Sequence, residues 1–296
     1  MAQFLTAVVT VFDQEGNLHL EGNRAVYEYL INGNSDGIVA LGSTGEFFGL
    51  TMDQCRQVID LIVETVKGRM KVIIGTSRMI AKESIELSNY ALSKGADAVM
   101  LVSPYYFKLD DANIEEYYDK TVPNINGNVY LYNFPTCTGY DLKPDILLNL
   151  CRKYHNIIGY KDTVPDMGHT RKVINTILPE FPSFEVYSGF DEFFIHNVMS
   201  GGAGCVGGLP NLKPEIFSEW VKAYNEKNFD KIVEIQKYVN KMMGLFDICS
   251  PFVTAIKRAM LVKGIISYEE SLTPLVKASP EEDEKIRVLL KELDIK

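Results

Sequence analysis

Eight short apolar runs, separated by segments of helical periodicity, constrain this chain more than any other feature. They lie at 4–12, 37–42, 71–76, 98–103, 129–134, 157–162, 184–188 and 204–208. Their starts fall roughly 20 to 35 residues apart, about the length of one strand-plus-helix unit. Runs such as Gly37-Ile-Val-Ala-Leu41 and Val72-Ile-Ile74 are apolar throughout, which suits a parallel sheet covered on both faces. The segments between them carry helix signals. Thr51 and Gln54 have capping-box spacing, Cys55, Val58, Ile59, Ile62 and Val66 form one stripe, and Gly68 marks the stop. Eight such units predict an α/β fold, a (β/α)8 TIM barrel. An open doubly wound sheet is the rival, but it usually has fewer strands.

Beyond about residue 213 the strand signals cease. A helix over 213–227 closes the barrel, 229–246 and 250–264 read as helical, and Ser279-Pro280-Glu281-Glu282 opens a last helix. Ile286, Leu289, Leu290 and Leu293 form the apolar face of that helix. No linker rich in Pro, Gly or Ser intervenes. The expected organisation is a catalytic barrel over 1–227 with a C-terminal helical extension over 228–296 packed on it, which a chain of 296 residues accommodates.

Charge narrows the partners. Thirty Lys and Arg against 39 Asp and Glu leave a net −9, which disfavours nucleic acid or an anionic membrane surface. An anionic substrate must then be met by local donors. No apolar stretch approaches the roughly 18 residues of a membrane span. The apolar start has no basic residue before Arg24, so it reads as a buried strand and not as a signal segment. Five cysteines without a C-x-x-C pair and four histidines without an H-E-x-x-H pattern predict neither a disulfide framework nor a metal site. A reduced, cytoplasmic, metal-free protein is the expectation.

Active sites of such barrels lie at the C-terminal ends of the strands, and four ends here are unusual. Ile157-Ile-Gly-Tyr-Lys-Asp-Thr163 ends an apolar strand in a lysine. Lys161 is either a snorkelling lysine at a strand terminus or a desolvated amine nucleophile toward a carbonyl. Gly159 makes room close to the strand, which favours the second reading. Val129-Tyr-Leu-Tyr-Asn-Phe-Pro135 places Tyr132 at the corresponding end of the preceding strand, either as a core tyrosine or as a proton relay. Leu41-Gly-Ser-Thr-Gly-Glu46 suits a turn whose N–H groups and hydroxyls bind a carboxylate, or simply a tight strand-to-helix turn. Gly202-Ala-Gly-Cys-Val-Gly207 formally matches G-x-G-x-x-G but runs into a strand, and Pro210 stands where a helix should open. A close-packed strand around a ligand is therefore expected in place of a nucleotide fingerprint. Cys137 reads as a small buried thiol, since no histidine partner can be argued for it.

Together, Gly42-Ser-Thr-Gly-Glu46, Ser103-Pro-Tyr-Tyr106, Tyr132-Asn-Phe-Pro135, Gly159-Tyr-Lys-Asp-Thr163 and Gly201-Gly-Ala-Gly204 resemble, in order and spacing, the dihydrodipicolinate synthase/N-acetylneuraminate lyase family. These are class I pyruvate-dependent aldolases on a (β/α)8 barrel with a helical C-terminal extension, and the resemblance covers nearly the whole chain. It implies that Lys161 is the Schiff-base lysine and Tyr132 the proton-relay tyrosine. It implies that Ser43 and Thr44 hold the pyruvate carboxylate and link the hydroxyl relay, and that Tyr106 is offered across a dimer interface to the neighbouring site. A homodimer or homotetramer follows. Thr163 and Gly189 match positions lining the cleft, and Val206 is expected there too.

Departures from the family pattern bear on the substrate. Dihydrodipicolinate synthase has an arginine for the carboxylate of its semialdehyde where this chain has Cys137, and a thiol cannot replace a bidentate guanidinium. Gly189-Phe-Asp-Glu192 keeps the acidic pair of N-acetylneuraminate lyase, but a serine used by that lyase aligns with Gly208. Tyr132-Asn-Phe-Pro-Thr-x-Thr-Gly139 with Lys161-Asp-Thr163 is most similar to the 2-keto-3-deoxy-gluconate and -galactonate aldolases. Ser103-Pro-Tyr-Tyr-Phe-Lys108, Pro251-Phe-Val253 and Ala278-Ser-Pro280 resemble a bacterial branch of that group. Thr44, Thr136, Thr163, Asp191 and Glu192 would then hydrogen-bond a polyol chain. The implied activity is reversible retro-aldol cleavage of such a sugar acid to pyruvate and glyceraldehyde, with no metal or organic cofactor because the imine is the electron sink. N-acetylneuraminate lyase and dihydrodipicolinate synthase are the alternatives within the class. Outside it stand a barrel that only binds a keto acid, and a nicotinamide dehydrogenase that would have to bind NAD.

Overall fold

The computed structural model describes residues 1–295. Eight strands, β1 (Gln3–Ala7), β2 (Gly37–Ala40), β3 (Lys71–Gly75), β4 (Ala98–Val102), β5 (Val129–Asn133), β6 (Ile157–Asp162), β7 (Glu185–Ser188) and β8 (Gly204–Gly207), form a closed barrel in chain order. Helices alternate with them, and further helices follow β8, so the chain is a (β/α)8 barrel with a C-terminal helical part. Among the described residues no helix is long and apolar enough to cross a membrane.

Contacts group the chain into two compact units that interleave in sequence. One comprises Phe4–Lys71 and residues from 207 onward. In it β1 pairs in parallel with β2, setting Leu5 against Gly37 and Ala7 against Val39. The apolar run expected as a strand over 4–12 is a strand only to Ala7. Residues 8–12 remain buried: Val8 N still donates to Val39 O at 3.1 Å, but two later donors pass to side chains, Val9 N to Asn211 Oδ1 at 3.2 Å and Val11 N to Asn23 Oδ1 at 3.0 Å. The run reports burial, and side-chain amides replace the ladder. Helix Met52–Val66 begins with the expected capping box between Thr51 and Gln54. Its stop falls one residue early, at Lys67 with φ +47°. After β8 come Pro214–Asn225, Phe229–Met242, Val253–Val262 and Pro280–Glu292, the last capped by Ser279 and Glu282 as its sequence predicts. Phe4, Phe217 and Trp220 stack in its core.

The other unit comprises Met1–Gln3 and Val72–Val206. Strands β4 to β7 run in parallel register, so that Val102, Tyr132, Lys161 and Tyr187 form one row and Asn133, Asp162 and Ser188 the next. One glycine reading is corrected here. The room beside Gly159 is occupied by the ring of Tyr130, whose atoms stand 2.3 Å from where a Cβ would sit, so it serves packing and not a ligand. Gly204, at φ +144°, is required because a Cβ would meet Gln3 O at 1.8 Å. The glycine-rich stretch thus lets β8 approach a neighbouring backbone.

Candidate active site

Parallel pairing puts Tyr132 directly beside Lys161 at the ends of β5 and β6. Lys161 is 6% exposed and Tyr132 4%, and the lysine Nζ lies 4.3 Å from the centroid of the tyrosine ring. Phe134 stacks against that ring at 6.0 Å. Among the described residues no carboxylate pairs with Lys161. A buried amine held over an aromatic face, with a phenol at hand, is equipped to add to a carbonyl and to move a proton.

Thr163 follows β6, its N–H bonded to Asn133 O at 2.9 Å. Its Oγ1 is buried and has no hydrogen-bond partner among the described residues. A Cβ on Gly189 would sit 1.9 Å from that oxygen, so only glycine fits against the hydroxyl. An orphaned buried hydroxyl costs about 1–3 kcal/mol unless something bonds it, which makes Thr163 a candidate ligand contact. Asp191 is buried and Glu192 half-buried in the turn Asp191–Phe193. Both lie within electrostatic reach of Cys205, as does Lys161; burial holds that thiol well above its ordinary range. Val206 is buried in β8. Thr136 and Cys137 are instead exposed on the short helix Pro135–Thr138, which corrects the reading of Cys137 as a buried thiol: the chain leaves β5 outward there. Tyr106 is 80% exposed on the loop after β4, with Phe107 edge-on at 5.0 Å.

Ser43 and Thr44 follow β2 in a tight turn closed by Gly45 N to Gly42 O at 3.0 Å and Glu46 N to Ser43 O at 3.1 Å. Thr44 is buried and Ser43 half-buried. Leu41 and Glu46 flank the turn with φ +55° and +56°, left-handed conformations that non-glycine residues adopt at a cost of order 1–3 kcal/mol. Glu46 repays part of that. Its carboxylate, wholly buried, pairs with Lys257 of helix Val253–Val262 and accepts from Leu272 N at 2.7 Å. Lys257 also donates to Glu270 O at 2.7 Å. Burial lowers the pKa of Lys257 while the two acids oppose it. Helix Val253–Val262 and the loop after it therefore brace the turn.

Two clusters escaped the sequence reading. Besides Glu46–Lys257, His169 stands between Asp162 (Nδ1 to Oδ2, 2.9 Å) and Asp141 (Nε2 to Oδ1, 3.3 Å). Burial alone would lower its pKa, but the two carboxylates push it up to about 10. Because the folded value lies above the ordinary 6.5, the bridge stabilises fully below about pH 6.5 and is lost as pH rises through about 10. Between pH 6.5 and 10.5 the wild type is expected to lose about 2–4 kcal/mol more than His169→Asn in urea unfolding. Parallel pH curves for the two would contradict this. Among the described residues no group of three or more His, Cys, Asp or Glu could hold a metal ion.

The family model described as the dihydrodipicolinate synthetase family matches residues 1–293. The Escherichia coli K12 protein named "Probable 2-dehydro-3-deoxy-D-pentonate aldolase YjhH" is 32% identical over 283 residues, covering 96% of this chain and 94% of its own. The 4-hydroxy-tetrahydrodipicolinate synthase of Methanococcus aeolicus is 33% identical over 287 residues, with 97% and 96% covered. The crystal structure of YagE, a prophage protein of the dihydrodipicolinic acid synthase family from E. coli K12 in complex with pyruvate, superposes with a TM-score of 0.96 at 30% identity, covering 100% of this chain and 99% of that one.

Proposed function

The chain belongs to the dihydrodipicolinate synthetase family, and from that premise we propose that it is a class I aldolase cleaving a 2-keto-3-deoxy sugar acid of the gluconate or galactonate type, reversibly, to pyruvate and glyceraldehyde. The observation that carries the reading is the Lys161 amine held 4.3 Å over the Tyr132 ring at two adjacent strand ends. The amine of Lys161 adds to the C2 ketone, and loss of water gives a protonated imine. Tyr132 takes the proton of the C4 hydroxyl as its own phenolic proton passes into the relay of Thr44 and Tyr106, the C3–C4 bond breaks, and its electron pair passes into the imine as an enamine. Glyceraldehyde leaves, the enamine is protonated at C3, and water returns pyruvate and the free lysine.

Ser43 and Thr44 hold the carboxylate in this reading, with Thr44 and Tyr106 linking the hydroxyl relay. Exposure of Tyr106 in the single chain supports its being offered to a second copy in a homodimer or homotetramer. Thr136, the unsatisfied hydroxyl of Thr163, Gly189, Asp191, Glu192 and Val206 line the path of the polyol. Residues 1–227 are the catalytic barrel and 228–296 its extension. Cys137 disfavours dihydrodipicolinate synthesis, since it offers no guanidinium for a second carboxylate. Asp191 and Glu192 keep N-acetylneuraminate lyase as the second reading.

The test is pyruvate release from 2-keto-3-deoxy-gluconate, 2-keto-3-deoxy-galactonate and N-acetylneuraminate, beside condensation of pyruvate with aspartate semialdehyde. Turnover on one of the two sugar acids supports the proposal; activity confined to the others overturns it. Tyr132→Phe keeps the ring beneath Lys161 and is expected to lower kcat by about 10²–10³-fold while pyruvate is still trapped as the imine. Undiminished kcat would remove Tyr132 from the proton path.

A further inference from the structure

Lys161 and Tyr132 are each followed by a buried polar residue, and these two residues meet. Asn133 donates through Nδ2 to Asp162 Oδ1 at 3.2 Å and to Asp141 Oδ1 at 2.9 Å, and its Oδ1 accepts from Leu142 N at 2.9 Å. Asp162 has its side chain fully buried. Its Oδ2 accepts from Thr170 Oγ1 at 2.7 Å and faces His169 Nδ1 at 2.9 Å, and its backbone O accepts from Gly189 N at 2.8 Å. His169 reaches on to Asp141, at the ion-pair distance of 3.3 Å. The residues after β5, the end of β6 and the start of helix Met167–Ile177 are thus tied at one point, directly behind the two proposed catalytic groups.

We propose that His169 is a positioning residue for the imine chemistry: by bridging Asp162, which follows Lys161, to Asp141, in the segment that follows Tyr132, it holds the lysine amine over the tyrosine ring. The role rests on the aldolase reading above. Its physical basis is charge. Two carboxylates, one wholly buried, converge on one imidazole, and without a cation between them they repel. The charged groups facing His169 are Asp162 from β6 and Asp141 from the segment after Pro135–Thr138, with Lys143 acting on Asp141. Repulsion would push Asp141, and through its bond to Asn133 the end of β5, away from Asp162 of β6, and a displacement of an ångström at a reacting group can cost up to about 10²-fold in rate.

His169→Asn tests this, because its amide can still donate to Asp162 while the charge and the reach to Asp141 are lost. Imine formation is read by borohydride trapping across pyruvate concentrations. The expected result is a maximal trapping rate about tenfold lower with half-saturating pyruvate within about twofold of wild type. Adding Asp141→Asn removes one of the two repelling carboxylates and should restore the rate to within about threefold of wild type. A histidine that merely fills space predicts no such rescue. If His169→Asn does not fold, Asp141→Asn alone, at the half-exposed end of the bridge, should slow trapping about threefold. An unchanged rate in either folded single variant, or a double variant as slow as His169→Asn, overturns the positioning role and leaves the aldolase reading intact. No trapping in the wild type overturns both.

Discussion

Lys161→Met is expected to reduce turnover on the order of 10⁴-fold or more while the protein stays folded. In the proposed reaction the imine nitrogen receives the electron pair released when the C3–C4 bond breaks, and neither a thioether nor the neighbouring tyrosine could take that place. The other deeply buried lysine, Lys257, has its ammonium committed to Glu46 and to Glu270 O, so it is no substitute. Stability should change far less. Lys161 is buried with no carboxylate partner among the described residues, so its amine contributes little to folding, and methionine has nearly its volume. Volume-conserving core swaps usually cost less than about 1.5 kcal/mol. Turnover assayed beside urea unfolding separates the two effects. A variant that unfolds with wild-type stability and still turns over would contradict the role.

The second large effect is on stability and lies elsewhere. Lys257→Met is expected to lower the unfolding free energy by about 3–5 kcal/mol, because it leaves the wholly buried Glu46 carboxylate without its cation. Leu272 N remains as a donor to it but carries no charge. Glu46→Gln added to Lys257→Met should recover most of that loss, since the buried charge is then gone from both ends. Guanidinium unfolding of the single and double variants reads this directly; a double variant as unstable as Lys257→Met would contradict it. Glu46 also ends the turn that carries Ser43 and Thr44, at φ +56°. Lys257→Met should therefore raise the pyruvate concentration that half-saturates trapping, whereas Lys161→Met removes trapping altogether.

The barrel was legible because each strand is an apolar run punctuated by glycine or a polar end, and eight such runs at even spacing admit few other architectures. Lys161 was legible for a related reason: a lysine closing an apolar strand is costly, so its presence asks for an explanation. Tyr132 was then found by position, as the corresponding end of the preceding strand, and the register bears out the pairing. Where apolarity was taken for strand, over 8–12, it misled, because burial and strand pairing are separate properties and Asn23 and Asn211 supply the bonds a ladder would. Gly159 misled in the same way, since room beside a backbone says nothing of what fills it.

The ion pairs were much less legible. Glu46 and Lys257 are 211 residues apart, and His169 meets Asp162 from a helix whose sequence carries no metal or catalytic spacing. Such pairs become visible only once the fold brings distant residues together. A hint existed in Lys161-Asp-Thr163, where a second charged residue continues a buried strand end, a place where a side chain of that type calls for an opposite charge. Asking which histidine or lysine supplied that charge would have led to His169.

The measurement that tests the central claim most directly is the intact mass of the protein after incubation with pyruvate and borohydride, in the wild type and in Lys161→Met, with the modified peptide located. The account predicts one reduced pyruvate per wild-type chain, attached at Lys161, and none on the variant. Folded wild-type protein that takes up no pyruvate, or an adduct that persists when Lys161 is gone, would contradict it.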